Sequence, residues 1–482
     1  MESDNLKDKT VKGVMWSAVE RFSVQGVQFV IGIILARLLM PSDYGIIAML
    51  SIFLAVSQTF VDSGFSNALV RKIDRTESDY STAFYFNIAI GIFFYLLLFF
   101  GAPYIALFYH APILTPITRV VGLTIVFNSL CIVQEAILTI KIDFKTQAKV
   151  SLSSTILTGV IGVFLAYKNF GVWALAIQGV SASFMRMFLL WVLAKWRPLA
   201  SFSKQSFKQL FGYGSKLLVS GLLDTTYNNI YPIVIGKFFT SSSLGFFTRA
   251  QNLAQFPSSN ITGILQRVTF PVLSTIQNED ERLRQNYRKI LRLSAYIIFP
   301  MMVGLAAVAS PLIHVLLTSK WEGCILYLQI ICFAMMWYPI HAINLNLLQV
   351  KGRSDLFLRL EIIKKCVGVS ILCVTLPLGI TAMCIGMCCS SLIALIINTY
   401  YTGKLIQVGF FCQMRDLLPI AFNCLIMGCL VFVVTSIDAS PIVKLFLGLF
   451  TGLLYYVFTA YMIKFPESFM LFNILKRYAC KR

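Results

Sequence analysis

A chain of 482 residues with 57% hydrophobic and 13% charged side chains, at a mean hydropathy of +0.77, is unlike a soluble domain, which carries about a quarter charged residues. The formal net charge of +20 sits mostly in short connections between apolar runs, where it reflects membrane topology rather than nucleic-acid binding. Composition therefore excludes a soluble enzyme and predicts an all-α polytopic membrane protein whose first partner is the bilayer.

Met1 to Lys12 is a polar tail with Lys7, Lys9 and Lys12, and the apolar run after it reads as a retained first helix, not a cleaved leader. Runs of about 20 apolar residues suffice to cross a bilayer, and fourteen are expected. They are Val14–Leu39, Tyr44–Phe65, Ala83–Phe108, Ile117–Leu138, Val150–Tyr167, Val172–Leu193, Ser215–Phe238, Leu244–Ile264, Ile290–Ala309, Ile325–Leu347, Phe357–Leu376, Ile380–Tyr400, Leu417–Val434 and Ile442–Ile463. Every second connection is basic: Arg71, Lys72 and Arg75; Lys141, Lys145 and Lys149; Lys195, Arg197, Lys204 and Lys208; Arg282, Arg284, Arg288 and Lys289; Lys351 and Arg353; Lys404 and Arg415. The C-terminal tail adds Lys476, Arg477, Lys481 and Arg482. Cytoplasmic loops collect Lys and Arg, so both termini are expected in the cytoplasm.

The chain repeats itself. Leu35–Gly45 aligns with Ile235–Gly245, Ala102–Phe108 with Ser310–Leu316, Lys141 with Lys351, and Gly171–Leu175 with Gly379–Met383. The unit is six helices. An even number returns the chain to its starting side, so two parallel six-helix bundles are expected, 1–200 and 201–410, followed by two extra transmembrane helices and a basic cytoplasmic tail, 411–482. Transporters built from such repeats bind near the bilayer midplane and rock to give alternating access.

Polar residues inside the spans mark where that site is expected, because ionisable and amide groups at bilayer depth face a bundle interior or a wet cavity. The first span carries Glu20 beside a helical stripe of Ser17, Arg21, Gln25, Gln28 and Gly32. The seventh carries Ser220, Asp224, Asn228, Asn229 and Tyr231; the eighth Arg249, Gln251, Asn252 and Gln255; the second Gln58 and Asp62. Depth places Asp224 near midplane, Arg249 in the outer half, and Arg21 and Asp62 toward the cytoplasmic side, where the two can pair. Glu20, Arg21 and Asp62 also fit a salt-bridge cluster that only fixes helix packing.

Other polar groups are blander. Glu361 with Lys364 and Lys365 has helix-surface spacing. Arg186 and Glu135 lie near enough to the interface to snorkel, and His314 and His341 stand alone. Pro232, Pro257, Pro300 and Pro339 interrupt spans seven to ten, with Pro232 and Pro257 as bending points. Twelve cysteines, eleven of them after residue 320, read as small packing residues without metal-ligand spacing.

Trp16-Ser-Ala-Val-Glu-Arg-Phe-Ser-Val-Gln-Gly-Val-Gln-Phe29, Leu35–Gly45 and Asp62–Leu69 resemble the polysaccharide exporters of the multidrug/oligosaccharidyl-lipid/polysaccharide superfamily, in particular the colanic-acid-exporter-like branch of Wzx flippases. The resemblance implies a bacterial inner-membrane protein with two bundles in a V. It further implies that undecaprenyl-pyrophosphate-linked oligosaccharide units are moved from the cytoplasmic to the periplasmic leaflet, for a polysaccharide polymerase to receive. On that reading Arg21, Arg37 and Arg249 would attract the diphosphate. Gln25, Gln28, Asn228, Asn229, Gln251, Asn252 and Gln255 would bond sugar hydroxyls, with Tyr231 (and Tyr227) stacking on sugar faces. Glu20, Asp62 or Asp224 would couple transport to H+ or Na+, and no other cofactor is expected. A multidrug exporter of the same superfamily is the alternative, although it favours an acidic, aromatic pocket. A membrane glycosyltransferase or polymerase is more remote, since no nucleotide-binding loop, metal cluster or nucleophile–base motif is visible.

Overall fold

The computed structural model describes residues 2–62, 64–463 and 466–468. The basic C-terminal residues Lys476, Arg477, Lys481 and Arg482 lie outside them. No strand occurs among the described residues. The chain divides into two compact units, Met1–Gly245 and Phe246–Arg482.

The first unit holds α1 (Glu2–Leu38), α2 (Pro41–Asp62), α3 (Phe65–Arg71), α4 (Glu77–Tyr109), α5 (Leu114–Val121), α6 (Leu123–Ser129), α7 (Ile132–Ile140), α8 (Phe144–Tyr167), α9 (Val172–Leu193), α10 (Lys204–Asn228), α11 (Ile230–Phe238) and the opening turn of α12 (Ser241–Thr275). The rest of α12 belongs to the second unit, with α13 (Asp280–Ala307), α14 (Ala309–Leu316), α15 (Gly323–Met335), α16 (Tyr338–Val350), α17 (Ser354–Thr375), α18 (Ile380–Ile406), α19 (Phe410–Thr435) and α20 (Pro441–Ile463).

Eleven helical segments among the described residues are long and apolar enough to cross a bilayer. The other three expected spans are helical too, within α10–α11, α12 and α17, but are more polar. α10 carries Lys216, Asp224 and Asn228; α12 is studded with amides and hydroxyls; α17 carries Arg359, Glu361, Lys364 and Lys365. Two of these three are the helices in which the sequence places the wettest faces.

Expected single helices break where the backbone requires it. The fourth span is three helices, α5 to α7, with a joint at Gly122, against which the Tyr95 ring packs. The tenth is α15 and α16, parted at Met336–Trp337 just before Pro339, which gives no N–H to the Met335 carbonyl and crowds that oxygen with its ring. The seventh parts at Asn229. Pro232 gives no N–H to the Asn228 carbonyl, and its ring crowds that oxygen. Pro257, by contrast, lies inside an unbroken α12.

The internal repeat is visible in backbone geometry, unit by unit. After α7, Ile142 N–H bonds the Thr139 carbonyl and Asp143 N–H that of Leu138. After α16, Gly352 bonds Gln349 and Arg353 bonds Leu348 in the same pattern, the paired bonds of a Schellman motif. Ile142 and Gly352 both have positive φ, 56° and 70°. Gly171 and Gly379, aligned by sequence, both precede a helix with φ of 56° and 96°, in a region essentially reserved for glycine.

The aligned pair Gly45 and Gly245 meets inside the first unit. A Cβ at Gly45 would collide with the Ser241 carbonyl oxygen, and one at Gly245 with the Pro41 carbonyl oxygen. Positions 41 and 241, and 45 and 245, thus exchange roles about a local pseudo-two-fold at the starts of α2 and α12. Gly45→Ala or Gly245→Ala is expected to destabilise by at least the ~1–3 kcal/mol of an overpacked core, read as a lower unfolding midpoint in detergent. Gly101→Ala, with nothing within 4 Å of its added methyl, should be neutral or stabilising by up to about 1 kcal/mol.

Candidate functional site

Within the first unit, α2 presents one polar face. Ser51, Gln58, Thr59 and Asp62 share it by helical spacing, and it runs about 16 Å at 1.5 Å per residue. Each of its middle members meets a neighbouring helix. Ser51 donates to Asn229 Oδ1 at 3.1 Å, and the Thr59 and Thr225 hydroxyls lie 3.0 Å apart. Asn229 Nδ2 donates to the Thr225 carbonyl at 2.8 Å, so both ends of this amide are engaged. Gln58 accepts from Asn128 Nδ2 at 3.0 Å and donates to Asp62 Oδ1 at 2.8 Å. Thr225 of α10 and Asn229 just after it therefore pack on the polar face of α2, while Ser220, Asp224 and Asn228 stay exposed.

Around the Asp62 end of α2 the charges gather. Glu20 of α1 accepts from Ser151 of α8 at 2.8 Å. Glu135 of α7 pairs with Arg186 of α9 at 2.8 Å. Asp62 and Glu20 lie close enough to Glu135 to repel its charge, and Arg186 attracts both Glu135 and Asp62. Glu135 and Asp62 thus share the attraction of the Arg186 guanidinium, with Glu20 near Glu135, in the membrane part of the unit. They form no metal-ligand set among the described residues.

Arg186 and Glu135, near enough to the interface to snorkel by sequence, pair with each other here. Neither stands near the other in sequence, and their pairing depends on α7 lying beside α9. A signal was present nonetheless: an acid in the fourth span and a base in the sixth, each costly alone in hydrocarbon.

The remaining candidates fall as follows. Arg21, Gln28, Arg37, Asp224 and Asn228 are exposed on the first unit, and Gln25 and Tyr231 half-buried. Lys237, the repeat partner of Arg37, donates to the Phe108 carbonyl at 2.5 Å. In the second unit, Arg249 is half-buried, with its guanidinium carbon 6.0 Å from the ring centre of the fully buried Trp321, a cation–π contact. Gln251 is half-buried, and Asn252 and Gln255 are exposed.

The second unit also has a dry polar network. Asn344 and Gln413 exchange hydrogen bonds at 3.0 and 3.1 Å, Thr402 donates to Asn344 at 2.7 Å, and Gln413 reaches Tyr287. His341 bridges Ser391 and Asn398. Arg288 grips Asp416 through two 2.7 Å bonds. α19 is thereby tied to α13 and α16, and α20 follows through Asn423–Thr459. His314, between the spans, faces the Ser310 carbonyl at 2.8 Å and Glu322 at 3.0 Å. Those two acceptors, in that order, raise its pKa above the ordinary imidazole value.

A polytopic helical chain with matched internal copies and charged groups at bilayer depth has the build of a membrane transporter. The chain belongs to the polysaccharide biosynthesis protein family, which matches residues 34–326. It is 24% identical to teichuronic acid biosynthesis protein TuaB of Bacillus subtilis over 354 residues, 73% of each chain. It is 23% identical to lipopolysaccharide biosynthesis protein WzxC of Escherichia coli over 401 residues, 82% of this chain and 80% of that one. The solved structure of lipid II flippase MurJ, in an inward closed conformation, matches with a TM-score of 0.77 at 15% identity, covering 93% of this chain and 100% of the other. That likeness shows a shared fold, and the resemblance to polysaccharide exporters carried by Trp16–Phe29, Leu35–Gly45 and Asp62–Leu69 agrees with the family match.

Removing one member of the Arg186–Glu135 pair strands the other. Arg186→Leu should lower stability in detergent by about 1–2 kcal/mol, below the 3–5 kcal/mol of a fully buried pair. The double variant Arg186→Leu/Glu135→Gln should recover part of the loss, which a double-mutant cycle of thermal unfolding would read.

Proposed function

We propose that this chain is a flippase that carries undecaprenyl-pyrophosphate-linked oligosaccharide units from the cytoplasmic to the periplasmic leaflet of a bacterial inner membrane. It works by alternating access across fourteen helices, with both termini in the cytoplasm, and is not an enzyme. The observation that carries this reading is the coincidence of polysaccharide-family membership with an internally repeated helical chain whose α1, α2, α10 and α12 are lined with cations, acids and amides. A lipid tail can stay in the bilayer, whereas a diphosphate and a string of hydroxyls need such groups to cross it.

Arg21, Arg37 and Arg249 would hold the diphosphate, since guanidinium matches phosphate oxygens in a bidentate fork. Gln25, Gln28, Asn228, Gln251, Asn252 and Gln255 would bond sugar hydroxyls, with Tyr231 against a sugar face. Asn229 joins them only by giving up its bonds to Ser51 and Thr225. Glu20 and Asp62, with Glu135 and Arg186 added, would take up and release H+ or Na+, and Asp224 would be a second acid on the path. A polysaccharide polymerase would receive the product.

In a strain lacking the chain, lipid-linked repeat units should accumulate in the inner leaflet and surface polymer should disappear. Arg21→Ala or Arg249→Ala should complement poorly, consistent with the ~10–100-fold affinity lost with one charge-assisted bond of about 1.5–3 kcal/mol. Normal polymer in the deletion strain, or sensitivity to cationic drugs as its sole defect, would replace this reading with the multidrug one.

A further inference from the structure

A cavity of about 500 Å³ opens in the second unit between α12, α16 and α17, within the size range of small-ligand sites. Its polar lining is Gln266 and Arg267 from α12 and Asn346 and Gln349 from α16; Phe270 and Phe357 supply aromatic walls. None of its lining residues is acidic, and none of the salt bridges among the described residues involves Arg267.

Asn346 is the telling residue. It is only 7% exposed, and its Nδ2 has no hydrogen-bond partner among the described residues. Two positions earlier on the same helix, Asn344 has its amide fully used by Ile340, Gln413 and Thr402. A buried amide donor left without an acceptor costs about 1–3 kcal/mol, and here it borders a cavity beside a guanidinium. The missing partner is an acceptor, and Arg267 makes an anion the acceptor of choice.

Location narrows the class. Gln349 is followed by Lys351 and Arg353, and α12 leads into Arg282 and Arg284 of α13, so the cavity lies toward the basic end of the unit. The positive-inside rule assigns that end to the cytoplasm. Sugar hydroxyls alone would not call for a cation, and a free anion would not call for Phe270 and Phe357.

We propose that this cavity binds the phosphate end of a membrane lipid. Arg267 grips the phosphate oxygens, Asn346 Nδ2 donates to one of them, Gln266 and Gln349 complete the shell, and the two phenylalanines cover the first carbons of the lipid. The lipid is either an isoprenoid diphosphate or an anionic phospholipid of the bilayer. The site does not depend on the flippase reading, because it is read by binding rather than export.

The test uses the purified full-length protein in mild detergent, titrated by native mass spectrometry with undecaprenyl diphosphate, phosphatidylglycerol, diacylglycerol and inorganic diphosphate. Arg267→Ala should weaken binding of at least one phosphate lipid by about 10-fold or more, and Asn346→Leu by about 3-fold or more. Arg267→Lys should keep part of the affinity, and diacylglycerol should be indifferent to every variant. Loss with undecaprenyl diphosphate alone identifies the isoprenoid source, and loss with phosphatidylglycerol the bilayer; either supports the site. Arg267→Gln stands in should the alanine variant fail to fold. The proposal is overturned if folded Arg267 and Asn346 variants bind both phosphate lipids like the parent, or if inorganic diphosphate alone binds as tightly as the lipids.

Discussion

Hydrocarbon supplies no hydrogen bonds, and nearly everything in this chain follows from that constraint. A helix satisfies its own backbone across the bilayer but not its side chains, so every ion or amide at depth must find a protein partner, water or cargo. In the first unit the solution is shared. α2 offers hydroxyls and amides to α6 and α10, while Glu20, Asp62, Glu135 and Arg186 are brought together from four helices. In the second unit the solution is internal, a closed network through Asn344, Gln413, Thr402 and Tyr287 that fixes α19 against its neighbours.

The two solutions suit different roles. A fully satisfied network rigidifies its surroundings. The acids about Arg186 are not enclosed in the same way: Asp62 is exposed and Glu20 half-buried. The same distinction separates Asn344 from Asn346 on one helix: the first is spent on structure, the second is available. Transport needs both a frame that holds its shape and groups that can change partners.

Much of this was legible in the residues. Apolar run length and alternating basic loops disclose a polytopic helical chain, and the likeness of Leu35–Gly45 to Ile235–Gly245 discloses the repeat, later visible as the reciprocal approach of Gly45 and Gly245. The wet faces of the first, second, seventh and eighth spans were readable from helical spacing. Joints were less so. Gly122 and the Met336–Trp337 break are set by packing of Tyr95 and by Pro339, and only the proline announces itself. Contacts between helices remote in sequence were hidden: Glu135 with Arg186, Glu20 with Ser151, Arg288 with Asp416. Arg267 escaped notice because a single cation near a helix end reads as ordinary surface until Asn346, 79 positions later in the chain, is seen to border the same cavity.

The elbows after α7 and α16 share hydrogen bonds and a left-handed residue, yet one copy uses Ile142 and the other Gly352. A β-branched residue holds that conformation at a cost of about 1–2 kcal/mol, whereas glycine holds it without steric penalty. Duplication therefore left two joints of identical shape and unequal steric cost. The earlier copy keeps its bend under strain and the later one keeps it freely, so the descendants of one ancestral hairpin need not bend in step.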